Sequence, residues 1–383
     1  MHYRKFGKLD ENVSLLGFGA MRLPCNKKED GTPGEINEKE AIEIIRAAID
    51  GGVNYVDTAY PYHDGNSEAL VAKALKDGYR EKVYLATKNP SWELKEKGDF
   101  TKYLDEQLAK LEVDCIDFYL QHAFNPKSWE TLQGLNFFEE AMKAKADGKI
   151  KYFGFSFHAE YELFEEIINT HNWDFAMIQY NYLDEEHQAG LKGLKLAASR
   201  NMGVVVMEPL RGGSMGDKMP EDIKEEFKNT DKSPVELALR WLANQPEVTV
   251  ILSGMSSLEQ VKNNIEILGK EDMLPGKAIT FEENTLLKHV KEVWNKRTLV
   301  GCTSCNYCIP CPTGVNIPEC FAALNIYGSS IAWAENRAQT KYKELKEAGT
   351  DASKCVNCGA CTPNCPQGIE IPGKLGELHK LLG

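Results

Sequence analysis

The sequence predicts an α/β chain: an eight-fold β/α (TIM) barrel over residues 1–280, then a small, mostly helical domain over residues 281–383. Three observations carry this reading. Eight short apolar runs alternate with helix-like stretches between about residues 13 and 270. No G-x-G-x-x-G turn follows an early run: Gly17-Phe18-Gly19 begins one, but position 22 is Arg. An open doubly wound sheet that bound a dinucleotide would need that turn. Finally, of 11 cysteines only Cys25 and Cys115 are isolated, and the rest crowd between Cys302 and Cys365.

The expected strands are 15–21, 53–57, 82–87, 116–120, 152–155, 175–179, 203–207 and 249–252. Runs such as Val204-Val205-Val206-Met207 are almost wholly apolar, as suits a parallel strand buried on both faces. Helices are expected at 38–50, 67–76, 101–111 and 234–244. In the first of these, Ala41, Ile42, Ile45, Ala48 and Ile49 recur at helical spacing. Pro234 after Ser233 is a helix-start signal. A polar stretch at 268–280, with Pro275 and Gly276, marks the boundary. Beyond it, helices are expected at 282–296 and 332–347.

Composition narrows the function. The chain has 383 residues, 42% hydrophobic and 27% charged, which excludes a largely disordered protein. No window approaches roughly 18 consecutive apolar residues, so no membrane span is expected. The charged start (His2, Arg4, Lys5, Lys8, Asp10) does not read as a signal peptide, and a cytoplasmic location is expected. The net charge of -12 argues against nucleic acid as a partner.

A cytoplasmic chain should not hold a disulfide framework, so closely spaced cysteines point to metal or cluster ligation. The second group reads Cys355-x2-Cys358-x2-Cys361-x3-Cys365-Pro366. This is the run of two-cluster bacterial ferredoxins, in which the fourth cysteine serves the other cluster. The first group reads Cys302-x2-Cys305-x2-Cys308-x2-Cys311-Pro312, one residue short in its last gap. Two [4Fe-4S] clusters are expected. Cys302, Cys305, Cys308 and Cys365 would hold one, and Cys355, Cys358, Cys361 and Cys311 the other. Zinc is the rival ligand, since paired C-x2-C also binds zinc. Cys320 reads as a buried thiol or as a replacement for Cys311.

At the C-terminal ends of successive expected strands stand Asp57-Thr58-Ala59-Tyr60-Pro61-Tyr62, then Lys88, then His122. That end of a barrel is its catalytic face. A free tyrosine has a pKa near 10. A neighbouring ammonium lowers it and a carboxylate holds the ammonium, so Tyr62, Lys88 and Asp57 can deliver a proton to a carbonyl oxygen, with His122 beside them.

With these residues in view, the chain resembles the aldo/keto reductase superfamily, in its branch with a C-terminal ferredoxin-like 4Fe-4S dicluster domain. The resemblance rests on Tyr3-Arg4-Lys5-Phe6-Gly7, Leu16–Pro24, the Asp-Thr-Ala-x-x-Tyr motif at Asp57–Tyr62, Lys88 and His122. Phe155-Ser156, Gln179-Tyr180-Asn181, Glu208-Pro209-Leu210 and Glu259-Gln260-Val261-x-x-Asn264 extend it over about residues 1–270. It implies a nicotinamide-dependent oxidoreductase acting on a small carbonyl or alcohol. Tyr62 would donate the proton, Lys88 and Asp57 would tune it, and His122 would orient the substrate oxygen. Ser156 and Gln179 would hold the carboxamide. Leu210 and Gly212 would lie along the pyrophosphate, Gly254 in the last strand–helix loop, and Gln260 and Asn264 near the adenosine.

Three departures bear on these implications. Met207 stands where the family often has an aromatic under the nicotinamide. Phe157, followed by His158, replaces the usual Asn after Ser156. The last strand–helix loop, 253–260, holds no base. A 2′-phosphate without a charged partner binds poorly, so NADH is expected over NADPH.

The clusters take single electrons and a nicotinamide gives two, an exchange that is awkward without a flavin. No flavin motif is visible. Either a redox protein partner is served, or the clusters are structural. The alternative reading is an electron-transfer or scaffold subunit whose barrel binds nicotinamide or flavin without turnover.

Overall fold

The computed structural model describes residues 1–27, 33–329 and 334–383. Eight parallel strands close a barrel: β1 Leu16–Gly19, β2 Tyr55–Asp57, β3 Tyr84–Asn89, β4 Ile116–Phe124, β5 Ile150–Phe157, β6 Phe175–Gln179, β7 Gly203–Met207 and β8 Val250–Ser253. Each strand pairs with its sequence neighbour, and β8 returns to β1 with Ile251 opposite Leu16. The strands are buried almost throughout, because inward side chains fill the barrel and outward ones lie under helices.

Local chemistry sets the helices between them. The helix Glu38–Asp50 is capped by Asn37, whose side chain accepts from Glu40 N. Asn125 and Ser128 form a reciprocal capping box before Pro126–Gln133. Ser257 caps Leu258–Leu268 by accepting from Gln260 N.

The strand starts form the closed end of the barrel. A hairpin of Tyr3–Lys5 and Asn12–Ser14 delivers Phe6, fully buried, to a centroid distance of 4.4 Å from Phe118 and 5.6 Å from Phe175. Gly7 follows at φ +57°, where a Cβ would sit 2.4 Å from the backbone nitrogen of Gly203. Only glycine fits both the left-handed backbone and that approach.

β4 runs four residues past its expected end. Its register shifts between Gln121 and Phe124, with Ala123 at φ +53°. Such an irregularity re-aims side chains at a barrel rim, here those around His122.

By contacts the chain separates into two compact units, Met1–Pro209 with Glu236–Thr280, and Leu210–Val235 with Phe281–Gly383. The segment between β7 and the helix Pro234–Ala243 therefore groups mainly with the C-terminal unit. That unit contains helices Phe281–Arg297, Ile317–Tyr327, Ala334–Glu347 and Ile371–Leu382. Its core joins Ile317, Phe321, Leu324, Tyr342, Ile371, Leu375 and Leu378. Residues 332 and 333 of the expected helix 332–347 lie outside the described residues.

Candidate active site and cluster ligands

The C-terminal ends of β2, β3 and β4 bring Asp57, Lys88 and His122 onto one rim, with Tyr62 on the loop after β2. Lys88 is 1% exposed and donates from Nζ to three acceptors: Asp57 Oδ1 at 2.5 Å, the Thr58 carbonyl at 2.8 Å and Tyr62 Oη at 3.2 Å. All three donor positions of the ammonium are thus used. Asp57 is equally buried. Burial lifts its carboxyl above the usual range, while the charge and hydrogen bond of Lys88 pull it back.

Behind the lysine, Glu68 accepts from Thr87 Oγ1 at 2.7 Å and from Gln107 Nε2 at 2.5 Å. Gln107 also donates to the Lys88 carbonyl at 3.1 Å. This buried network fixes the end of β3 and so the position of the ammonium.

The His122 ring stands edge-on to Tyr62 with centroids 6.1 Å apart, and Trp92 covers it at 5.2 Å. Neither His122 ring nitrogen has a hydrogen-bond partner among the described residues, and Nδ1 is out of solvent. Burial, then the charges of Lys88 and His158, hold the imidazole pKa well below its ordinary value. The rim therefore offers a phenol beside a fixed ammonium, and a neutral imidazole.

Of the aromatic residues Trp92, Phe124 and Trp129 near this rim, only Trp92 is exposed, at 48%. Phe124 and Trp129 are buried against Phe137, with ring centroids at 6.0 and 6.4 Å. Both pack into the protein interior.

In the C-terminal unit, Cys302, Cys305, Cys308 and Cys365 line one cavity, closed by Ile317, Pro318, Phe321, Ile369 and Ile371. Burial, then the neighbouring Cys305, Cys302 and Cys365, push the Cys308 thiol up to about 12. Cys361 feels Cys311 and Cys355 in the same way, after a larger effect of burial, so these three form a second group; Cys358 is exposed. Burial pushes the Cys311 thiol up, but hydrogen bonds from Thr313 and the backbone of Gly314 and Val315 prevail and lower it.

Four cysteines around one apolar cavity suit a cuboidal cluster with iron at separate corners. Cys320 is fully buried beside the Thr350 carbonyl at 3.8 Å, its thiol raised to about 12 by burial and then by Asp351 and Glu319. It does not line the first cavity.

An eight-residue repeat organises both groups: Cys311-Pro-Thr-Gly-Val-Asn-Ile-Pro318 and Cys365-Pro-Gln-Gly-Ile-Glu-Ile-Pro372. In each, the glycine takes a positive φ (Gly314 +79°, Gly368 +63°). The sixth residue then caps a helix: Asn316 accepts from Glu319 N, and Glu370 from Gly373 N. Sequence reasoning overlooked this repeat and the two helices it opens.

Comparison with known proteins now decides the family. Residues 15–274 match the aldo/keto reductase family, and residues 301–370 match a 4Fe-4S dicluster domain. The chain belongs to the aldo/keto reductase family. Similar proteins include an uncharacterized oxidoreductase, YqkF, of Bacillus subtilis, 27% identical over 326 residues (76% of this chain, 97% of that protein). An Escherichia coli NADH-specific methylglyoxal reductase is 28% identical over 317 residues (68% and 92%). Among solved structures, the holo form of the aldo-keto reductase AKR11C1 from Bacillus halodurans superposes with a TM-score of 0.63 at 27% identity, covering 76% and 96%. This chain is thus an oxidoreductase of that family carrying a 4Fe-4S domain. No helix among its described residues is long and apolar enough to cross a membrane.

The expected cofactor residues of this aldo/keto reductase fall into three places. Ser156, Gln179 and Met207 occupy the C-terminal ends of β5, β6 and β7, with Met177 opposite Ser156 and Gln179 opposite Met207. Ser156 Oγ accepts from Ala123 N at 2.7 Å, and Gln179 Nε2 donates to Asp184 at 3.0 Å. Asn181 donates to the same carboxylate at 3.0 Å.

At the end of β8, Asn264 donates to Ser253 Oγ at 3.2 Å, and Gln260 accepts from Ser256 N at 2.8 Å. Leu210 and Gly212 belong to the second unit. The Arg22 side chain packs beside Gly254, where a Cβ would meet it at 3.4 Å. A base therefore stands next to a loop whose own sequence contains none, and only the β1–β8 pairing reveals it.

Proposed function

We propose that this chain is a nicotinamide-dependent reductase that interconverts a small carbonyl compound and its alcohol. The observation that carries the reading is the buried ammonium of Lys88, bound at once to Asp57 and to Tyr62 Oη beside a neutral His122. In reduction, the proton leaves Tyr62 Oη for the substrate oxygen. The phenolate left behind faces Lys88 Nζ, and Asp57 keeps that ammonium in place. His122, neutral, can donate one hydrogen bond to the same oxygen and orient the carbonyl.

Bound nicotinamide supplies the hydride. The buried polar ends of β5 and β6 suit its carboxamide, with Ser156 and Gln179 held by Ala123 and Asp184. Met207, Gly254, Gln260 and Asn264 complete the proposed contacts on the barrel unit. We propose NADH as the preferred cofactor, in keeping with the NADH-specific relative. Arg22 is the base through which NADPH would be favoured instead.

Two [4Fe-4S] clusters supply one-electron steps, held by Cys302, Cys305, Cys308 and Cys365, and by Cys311, Cys355, Cys358 and Cys361. The first cavity and the mutual influence of Cys311, Cys355 and Cys361 support this exchange of the fourth ligand. The division of labour is a barrel domain of residues 1–280 and a cluster domain of 281–383. Cluster thiolates suit the reducing cytoplasm.

The test is anaerobic. Purified protein with measured iron and sulfide receives NADH, with and without a panel of aldehydes and ketones. Carbonyl-dependent oxidation of NADH supports the reading. Its absence, with bleaching of the visible cluster band by NADH alone, would favour an electron-transfer subunit serving a redox partner.

A further inference from the structure

We infer that His158 is a second substrate-binding imidazole, which with His122 selects carbonyl compounds bearing a hydroxyl next to the reacting carbon. The inference rests on the carbonyl reduction proposed above and adds a specificity residue to it.

The placement follows from the strands. His158 directly follows β5, and its backbone N–H donates to the Phe124 carbonyl at 3.0 Å. Phe157 lies opposite Phe124 in the ladder. His158 is thus on the rim one strand from His122. Side chains alternate along a strand. Phe157 is fully buried and turns to the helix Tyr161–Thr170, with its ring 5.2 Å from Phe164. Ser156 and His158, two residues apart, share the opposite side. This chain buries Phe157 outward and brings its next polar group to the rim as an imidazole.

The polar atoms then want a ligand. Nδ1 of His158 is out of solvent without a partner, as is Nδ1 of His122. An unsatisfied buried polar atom costs about 1–3 kcal/mol, so two at one rim mark a site completed by a substrate. Burial brings His158 down to about 4 against an opposing influence of Gln188, with smaller pushes from His187 and Lys88. Both imidazoles are therefore neutral near pH 7, each with one donor and one acceptor nitrogen. A carbonyl oxygen satisfies only an N–H. A hydroxyl satisfies either nitrogen, in either tautomer. With His122 on the reacting carbonyl, the neighbouring group that His158 accommodates in all cases is a hydroxyl. Trp92 over His122 supplies an apolar wall to the carbon skeleton.

The experiment compares 2-hydroxypropanal with propanal, which differ by that hydroxyl alone. Steady-state reduction is measured for the full-length, cluster-loaded protein and for His158→Ala and His158→Asn. Wild type should favour 2-hydroxypropanal in kcat/KM by about tenfold or more, the scale of a matched hydrogen bond. His158→Ala should remove that preference, chiefly through KM, and leave propanal within about threefold. His158→Asn, which keeps a polar atom there, should restore part of it. Equal losses on both aldehydes, or no wild-type preference, would overturn the inference while carbonyl reduction stands. Turnover of neither aldehyde by wild type would overturn both together.

Discussion

Replacing Lys88 by methionine removes a charge and little volume, and leaves Asp57 buried with no cation. Lys88 and Asp57 are both 1% exposed and 2.5 Å apart. Breaking a buried pair from one side costs about 3–5 kcal/mol, because an uncompensated charge remains. At about 2–4 °C per kcal/mol for a domain of this size, Lys88→Met should lower the barrel's melting temperature by about 6–20 °C at pH 7. The pH dependence carries the sharper test. Burial already raises the Asp57 carboxyl in the folded state, so its contribution is fullest below about pH 4 and declines as pH rises through the folded pKa. Without Lys88 that pKa rises further. The deficit should thus shrink on acidification, where the carboxyl is neutral, and be full at pH 7. Adding Asp57→Asn should recover most of it. Near-UV circular dichroism of the barrel aromatics would follow unfolding, with cluster absorbance recorded separately, since two units need not unfold together. A loss independent of pH, or one that Asp57→Asn deepens, would refute the reasoning.

Three further outcomes are expected. His158 has a folded-state pKa lowered to about 4, so its stabilisation is present above about pH 6.5 and lost as pH falls towards 4, and His122 acts in the same direction. The plot of unfolding free energy against pH should be shallower in His158→Gln by close to one proton between pH 5 and 6; an unchanged slope would show that His158 titrates normally. Cys358→Ser should lose one cluster, about half the iron, and keep the other; unchanged iron content would contradict the ligand assignment. NADH should bind more tightly than NADPH by fluorescence titration. A tighter NADPH complex that Arg22→Ala weakens would reverse that preference and name the residue responsible.

The barrel was legible because its strands are buried on both faces. Phe175–Gln179 and Gly203–Met207 match the expected spans to the residue, each an almost unbroken apolar run. Strand ends were harder. Ile116–Phe124 continues through Gln121 and His122, polar residues that face the rim and so carry no apolar signal. The helices Ile317–Tyr327 and Ile371–Leu382 were missed for a related reason: each opens on Ile-Pro, and both faces of the first are largely apolar, which blurs helical periodicity. Asp57, Lys88 and His122 could be placed because they stand at the ends of consecutive strands, and Tyr62 because it follows the first of them in one motif. Arg22 beside Gly254 could not, since it depends on β1 closing against β8.

The central claim is that Tyr62 delivers the proton that completes carbonyl reduction on the barrel rim. Tyr62→Phe keeps the ring and removes only the Oη that faces Lys88 Nζ. Anaerobic NADH oxidation in the presence of an aldehyde should fall to background in this variant, while NADH binding stays within a few-fold of wild type. Turnover at the wild-type rate in Tyr62→Phe would contradict the account.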